Sequence, residues 1–127
     1  MSDEYSMVRV SELDTKPSAV SGTEHVDLFG ELGCTEMRPK VWYLSEGDSM
    51  SYHRQAEQEE FYYVLSGPGR LRVGEEYVDV PEGSALRIPP ETSRQILNDG
   101  EGGSGEHVWL VIGAPNVPDD GLPAADE

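Results

Sequence analysis

The sequence predicts an all-β fold, an antiparallel sandwich or barrel forming one domain, on three observations. Short segments rich in Val, Tyr, Leu, Trp and Ile recur at regular spacing, Gly or Pro stands between them, and no long helical pattern interrupts them. At 127 residues the chain suits a single domain, and 36% hydrophobic content with six tyrosines and two tryptophans is enough to fill a small barrel.

Taken in order, residues 1–24 are polar and punctuated by Pro17, Ser18, Ser21 and Gly22, so they read as an N-terminal arm. The segment from His25 to Phe29 is a candidate edge strand. Strands are then expected over 41–44, 49–54, 60–65, 70–73, 77–80, 84–88, 94–97 and 107–112. Ser66-Gly67-Pro68-Gly69 and Gly74-Glu75-Glu76 read as hairpin turns, because glycine reaches positive φ cheaply and Pro68 cannot donate to a central ladder. Neighbouring strands are therefore expected to be antiparallel. The Gly-rich run 98–105 precedes a strand rather than a helix, which makes it a flexible connection and not a phosphate loop. The expected division is an arm at 1–24, a barrel domain at 25–114 and an acidic, Pro-rich C-terminal tail at 115–127.

Charge narrows the partners. With 25 Asp plus Glu against 9 Lys plus Arg, the formal net charge is −16. A field of that sign repels phosphate backbones and anionic bilayers, so neither nucleic acid nor membrane is an expected partner. The acids are spread along the whole chain and the only lysines are Lys16 and Lys40, a pattern that suits a halophilic protein whose self-repulsion is screened by concentrated salt. Cys34, the one cysteine, rules out an intrachain disulfide and is expected as a small buried hydrophobe. No leader pattern or stretch of transmembrane length is evident, and a reducing cytoplasm is the simplest expected location.

The stretch from Gly47 to Gly67 carries the chemistry. Five residues separate Gly47 from His53, one separates His53 from Gln55, four separate Gln55 from Glu60, and six separate Glu60 from Gly67. This resembles the first motif of the cupin superfamily, G-x5-H-x-H-x(3,4)-E-x6-G, with Gln55 in the place of the second histidine. The second motif, G-x5-P-x-G-x2-H-x3-N, is similar to the run through Gly74, Pro81 and Gly83 to Asn98, with one extra residue before Pro81 and a longer stretch after Gly83. Arg94 stands where that motif has its histidine. The resemblance covers roughly residues 37–113 and implies a double-stranded β-helix, or jelly-roll barrel. It also implies a homodimer, since many cupins pair through sheet faces or exchanged edge strands.

Strand alternation then sorts the side chains. His53 and Gln55 share one face, as do Glu60, Tyr62 and Val64, and as do Arg94, Ile96 and Asn98. The resemblance turns these faces inward, giving a ligand pocket of His53, Gln55, Glu60, Tyr62, Arg94 and Trp109, with Glu59 and Tyr63 outward. Family members that bind a transition metal usually offer three histidines and a glutamate. Here Gln55 supplies a weaker amide oxygen, and Arg94 has no lone pair and a permanent positive charge. Arg94 is therefore expected to pair with Glu60 in place of a metal.

Three readings of function stay open. The first is metal-independent binding or sensing of a small molecule, with Arg94 available to meet a carboxylate, phosphate or sugar acid, Tyr62 and Trp109 to cover an apolar or ring portion, no cofactor and no residue assigned a catalytic role. The second is a metal-dependent oxygenase or isomerase holding a divalent transition metal on His53, Gln55 and Glu60, with His107 or His25 as substitute ligands. The third is a structural or assembly protein whose His53, Glu60 and Arg94 form an inert internal network.

Overall fold

The computed structural model describes residues 4–100 and 105–124, so the middle of the Gly-rich run and both extreme termini lie outside the described residues. After a 3-10 turn at Val10–Glu12, the chain forms β1 (Lys16–Pro17), β2 (Glu24–Asp27), α1 (Leu28–Leu32) and β3 (Arg38–Leu44). It continues with β4 (His53–Gln55), β5 (Glu59–Ser66), β6 (Gly69–Val73), β7 (Glu76–Val80), β8 (Ala85–Ile88), β9 (Arg94–Leu97), β10 (His107–Ala114) and β11 (Gly121–Pro123). Two antiparallel sheets result, in the orders β1-β2-β3-β10-β5-β8 and β11-β4-β9-β6-β7.

Alternation along the strands explains how the sheets face each other. In β10 every second residue is buried, from His107 through Trp109 and Val111 to Gly113. In β5 the buried residues are Glu60, Tyr62 and Val64. These inward residues join Trp42, Leu44, Leu71, Val80, Ile88 and Ile96 in one core drawn from both sheets. A second cluster lies on the outer face of the larger sheet, where Val8, Val10 and Leu13 of the expected arm pack on Val26, Leu28 and Val41. The arm is thus tied down by its own apolar residues, and β1 edges the sheet outside β2, which is not itself an edge strand.

Several expectations are corrected. From β3 onward the chain changes sheet at every connection except β6 to β7, so Ser66-Gly67-Pro68-Gly69 is a crossover between sheets and not a hairpin. Gly74-Glu75 is a true two-residue hairpin turn, with Val73 opposite Glu76 and Gly74 at φ 59°. Gly69 has a packing reason, since a Cβ there would overlap the Trp109 ring. The segment after Pro115, expected as a tail, supplies β11, which pairs with β4. Its anchor is Asp120, a buried carboxylate that accepts from the backbone N–H groups of Glu57 and Gln58 at 3.0 and 2.7 Å. α1 follows Asp27, whose side chain accepts from Gly30 N, and ends at left-handed Gly33. Cys34, next in the chain, is only half-buried.

At the filled end of the barrel, His107 is buried opposite Leu44 while Asn98 donates to the carbonyls of Leu44 and Gly105. Burial lowers the His107 pKa from its ordinary 6.5, with Asp99 only partly opposing. The unfolded chain then takes up this proton more readily than the folded one. Stability should therefore be complete above about pH 6.5 and fall as pH drops through that value towards the lower folded one. His107→Gln should flatten this limb in urea titrations at a series of pH values; an unchanged slope would assign the effect to another group.

Candidate functional site

The open end of the barrel holds a cavity of about 480 Å³, within the range of small-molecule sites. Its walls follow from strand register. On the larger sheet Arg38, Gly113 and Glu60 form one row across β3, β10 and β5, and Lys40, Val111 and Tyr62 form the next. Two strand spacings, about 10 Å, separate the cations of β3 from Glu60. Gly113 leaves the first row open, and the Gln58 amide fills the space a side chain would need. The opposite wall is β4, with His53 and Gln55, and beyond it residues 117–123 of the terminal segment close one side.

Four of the six expected pocket residues, His53, Gln55, Glu60 and Tyr62, line this cavity; Arg94 and Trp109 do not. Trp109 is 0% exposed, packed edge-on to Tyr62 in the core behind the wall. Arg94 is also 0% exposed, and each of its three nitrogens donates to a protein acceptor. Nη2 and Nε donate to Glu60 Oε1 at 2.7 and 3.2 Å, and Nη1 donates to the carbonyls of Pro89, Pro90 and Thr92. The expected Glu60–Arg94 pair therefore exists, but the guanidinium meets one carboxylate oxygen rather than bridging both. Fully buried, it does not face the cavity.

The surrounding groups hold the charges in place. Burial works against the Arg94 charge, yet Tyr62 and Glu60 beside it outweigh this and raise the guanidinium pKa above its ordinary value. Tyr62 donates to Glu60 Oε1 at 2.8 Å, and burial, then the Glu60 charge, raises its pKa well above 10. Oε1 thus accepts from three donors. Oε2 has only the Gln55 amide N–H at 3.4 Å.

A metal fits this set poorly. Glu60 Oε1 already takes three donors, two of them from a cation, and Gln55 turns its N–H group rather than its oxygen towards Glu60 Oε2. Neither His25 nor His107 reaches the cavity: His25 stacks on Trp42 at 4.7 Å between ring centres, and His107 sits at the filled end. Among the described residues no group of three or more His, Cys, Asp or Glu is arranged to hold an ion.

The sequence reading missed the cations that do line the cavity. Arg38 stacks over Phe29 and donates to Asn116 Oδ1 at 2.8 Å, while Lys40 lies 5.7 Å from the centre of the Trp42 ring. Neither has a carboxylate within ion-pair distance among the described residues. Their even spacing with Trp42 was the available signal, had the strand been extended N-terminally to Arg38.

Comparison with known proteins agrees with this geometry. Residues 40–111 match the family model described as "Cupin domain". An uncharacterized protein of Methanocaldococcus jannaschii is 35% identical over 54 residues, which is 42% of this chain and 43% of that one, so the match spans less than half of either. Among solved structures, a cupin protein from Bacteroides fragilis aligns over 100% of this chain and 97% of its own, with 23% identity and a TM-score of 0.72. A sugar phosphate isomerase of the cupin superfamily from Silicibacter pomeroyi aligns over 87% of this chain and 76% of its own, with 18% identity and a TM-score of 0.75. At such identities these structures speak for the fold. Among the described residues no helix is long and apolar enough to cross a membrane.

Proposed function

Because the chain belongs to the cupin superfamily, whose barrels host many unrelated chemistries, we propose that it binds or senses a small anionic molecule in the open end of its barrel without a metal ion. The observation that carries this is how its cations are divided. Arg94 neutralises Glu60 inside the wall, while Arg38 and Lys40 line the cavity with no carboxylate partner among the described residues. In a chain of net charge −16, two such cations on one strand of a cavity wall favour an anion. The sugar phosphate isomerase from Silicibacter pomeroyi lends support to an anionic, sugar-sized ligand. An inert barrel is the weaker reading, because the interior has not collapsed around the ion pair.

The setting proposed with this function is a reducing, salt-rich cytoplasm, which suits the single half-buried cysteine and the acidic composition. A homodimer is proposed through the outer face of the larger sheet, where Phe61 and Leu65 are 41% and 47% exposed.

Calorimetric titration of chelator-treated protein with small carboxylates and phosphates tests the reading. Binding should persist in EDTA and weaken on the order of ten-fold in Lys40→Met, the loss of one charge-assisted contact. Binding that appears only when a divalent ion is added, or that ignores Lys40, would overturn it.

A further inference from the structure

Resting on the anion reading above, we propose that the ligand is a hydroxylated anion: its charge lies on Arg38 and Lys40, and its hydroxyl groups donate to His53 and Glu60 across the cavity. His53 Nδ1 lies 3.0 Å from the Ser51 carbonyl oxygen. A carbonyl only accepts, so Nδ1 carries the proton in the neutral ring and Nε2 is left as a lone-pair acceptor. No protein donor meets Nε2 among the described residues. Glu60 Oε2 is in a similar position, with one long hydrogen bond at 3.4 Å, while Oε1 takes three donors. Between them, Gln55 Oε1 is buried under Gly121 without a hydrogen bond.

This wall is therefore rich in acceptors and short of donors. A bare carboxylate or phosphate placed against it would meet like charge at Glu60 and lone pairs at His53. Arg38 and Lys40 lie on the far side of the cavity, two strand spacings or about 10 Å from Glu60 along the same sheet. Trp42, Met50 and Val111 line the space between them with apolar surface. A molecule that satisfies both walls has an acidic end, a short carbon chain and hydroxyls at the far end, as in a sugar acid or a sugar phosphate. Neither a simple fatty acid nor a neutral polyol does so.

The test is calorimetric titration of the full chain with matched ligands. Gluconate and its stereoisomers are compared with hexanoate, glucose 6-phosphate with hexyl phosphate, and sorbitol serves as the neutral polyol. At least one hydroxylated anion should bind on the order of ten-fold or more tightly than its deoxygenated partner and than sorbitol, because unmet buried acceptors penalise the latter. Which pair shows the preference separates carboxylate from phosphate. In His53→Leu, checked for folding by circular dichroism, that preference should shrink. If His53→Leu fails to fold, the wild-type ratios decide alone. Equal binding of the paired anions, both sensitive to Lys40→Met, would overturn the hydroxyl assignment and leave the anion reading standing. Sorbitol binding as tightly as the anions, or no binding at all, would overturn both.

Discussion

Glu60→Gln should destabilise the folded protein by about 3–5 kcal/mol, the cost of breaking a buried ion pair from one side. Arg94 is 0% exposed and Glu60 9% exposed, so the guanidinium left behind cannot be rescued by water. The amide oxygen of a glutamine can still accept from Arg94 Nη2 and from Tyr62, so hydrogen bonding is largely kept. Charge compensation is not. Nη1 stays fixed on the carbonyls of Pro89, Pro90 and Thr92, which hinders the guanidinium from turning outward. Urea unfolding of the variant and the wild type at neutral pH measures the difference. A loss under about 1 kcal/mol would match an exposed pair instead, and would mean that water reaches Arg94 in solution. Arg94→Met offers the converse: it leaves a buried carboxylate without its cation, and should also destabilise by several kcal/mol.

How far the site was legible depends on the kind of signal. Period-two alternation put Glu60, Tyr62 and Val64 on one face of β5 and Glu59 on the other, the resemblance turned the first face inward, and the burial pattern agrees. The same logic put Arg94 and Ile96 on one buried face of β9. Alternation says nothing about depth along the barrel. Trp109 and Arg94 have the right parity yet sit behind the wall, because Tyr62 packs in front of the first and Glu60 binds the second. Arg38 and Lys40 lie N-terminal to the strand expected at 41–44; Pro39 between them is a residue that central strands disfavour, and its place opposite Ile112 is kept because proline lacks only the N–H donor. β11 was invisible to pattern reading. Three residues with a Gly and a Pro carry no periodicity, and the strand is held instead by Asp120 on Glu57 and Gln58 and by Arg54 Nε donating to the Pro123 carbonyl. Changes of sheet between successive strands are likewise absent from local sequence, which is why Gly67-Pro68 passed for a hairpin.

The double substitution Gln55→His with Arg94→His should create divalent-metal affinity on the order of a hundred-fold or more above that of the wild type, as expected when a poor donor set becomes three imidazoles and a carboxylate. The geometry supports convergence. His53 lies directly opposite Arg94 in the β4–β9 register, residue 55 follows on the same face of β4, and the side chain at 94 already reaches Glu60. Removing the guanidinium also frees Glu60 Oε1 from two of its three donors. Arg94→His alone should be less stable than the wild type, because the buried carboxylate loses its cation. In the double variant an ion replaces that charge, so stability and metal binding become linked: an ion at a thousand times its Kd adds about 4 kcal/mol. Thermal melting with Zn²⁺ or Ni²⁺ and with EDTA reads this as a metal-dependent rise in midpoint that the wild type lacks. If the double variant melts at the same temperature with and without the ion, the side chains at 53, 55 and 94 do not meet at one point. The wild-type arginine would then be a packing residue rather than the occupant of a former metal position.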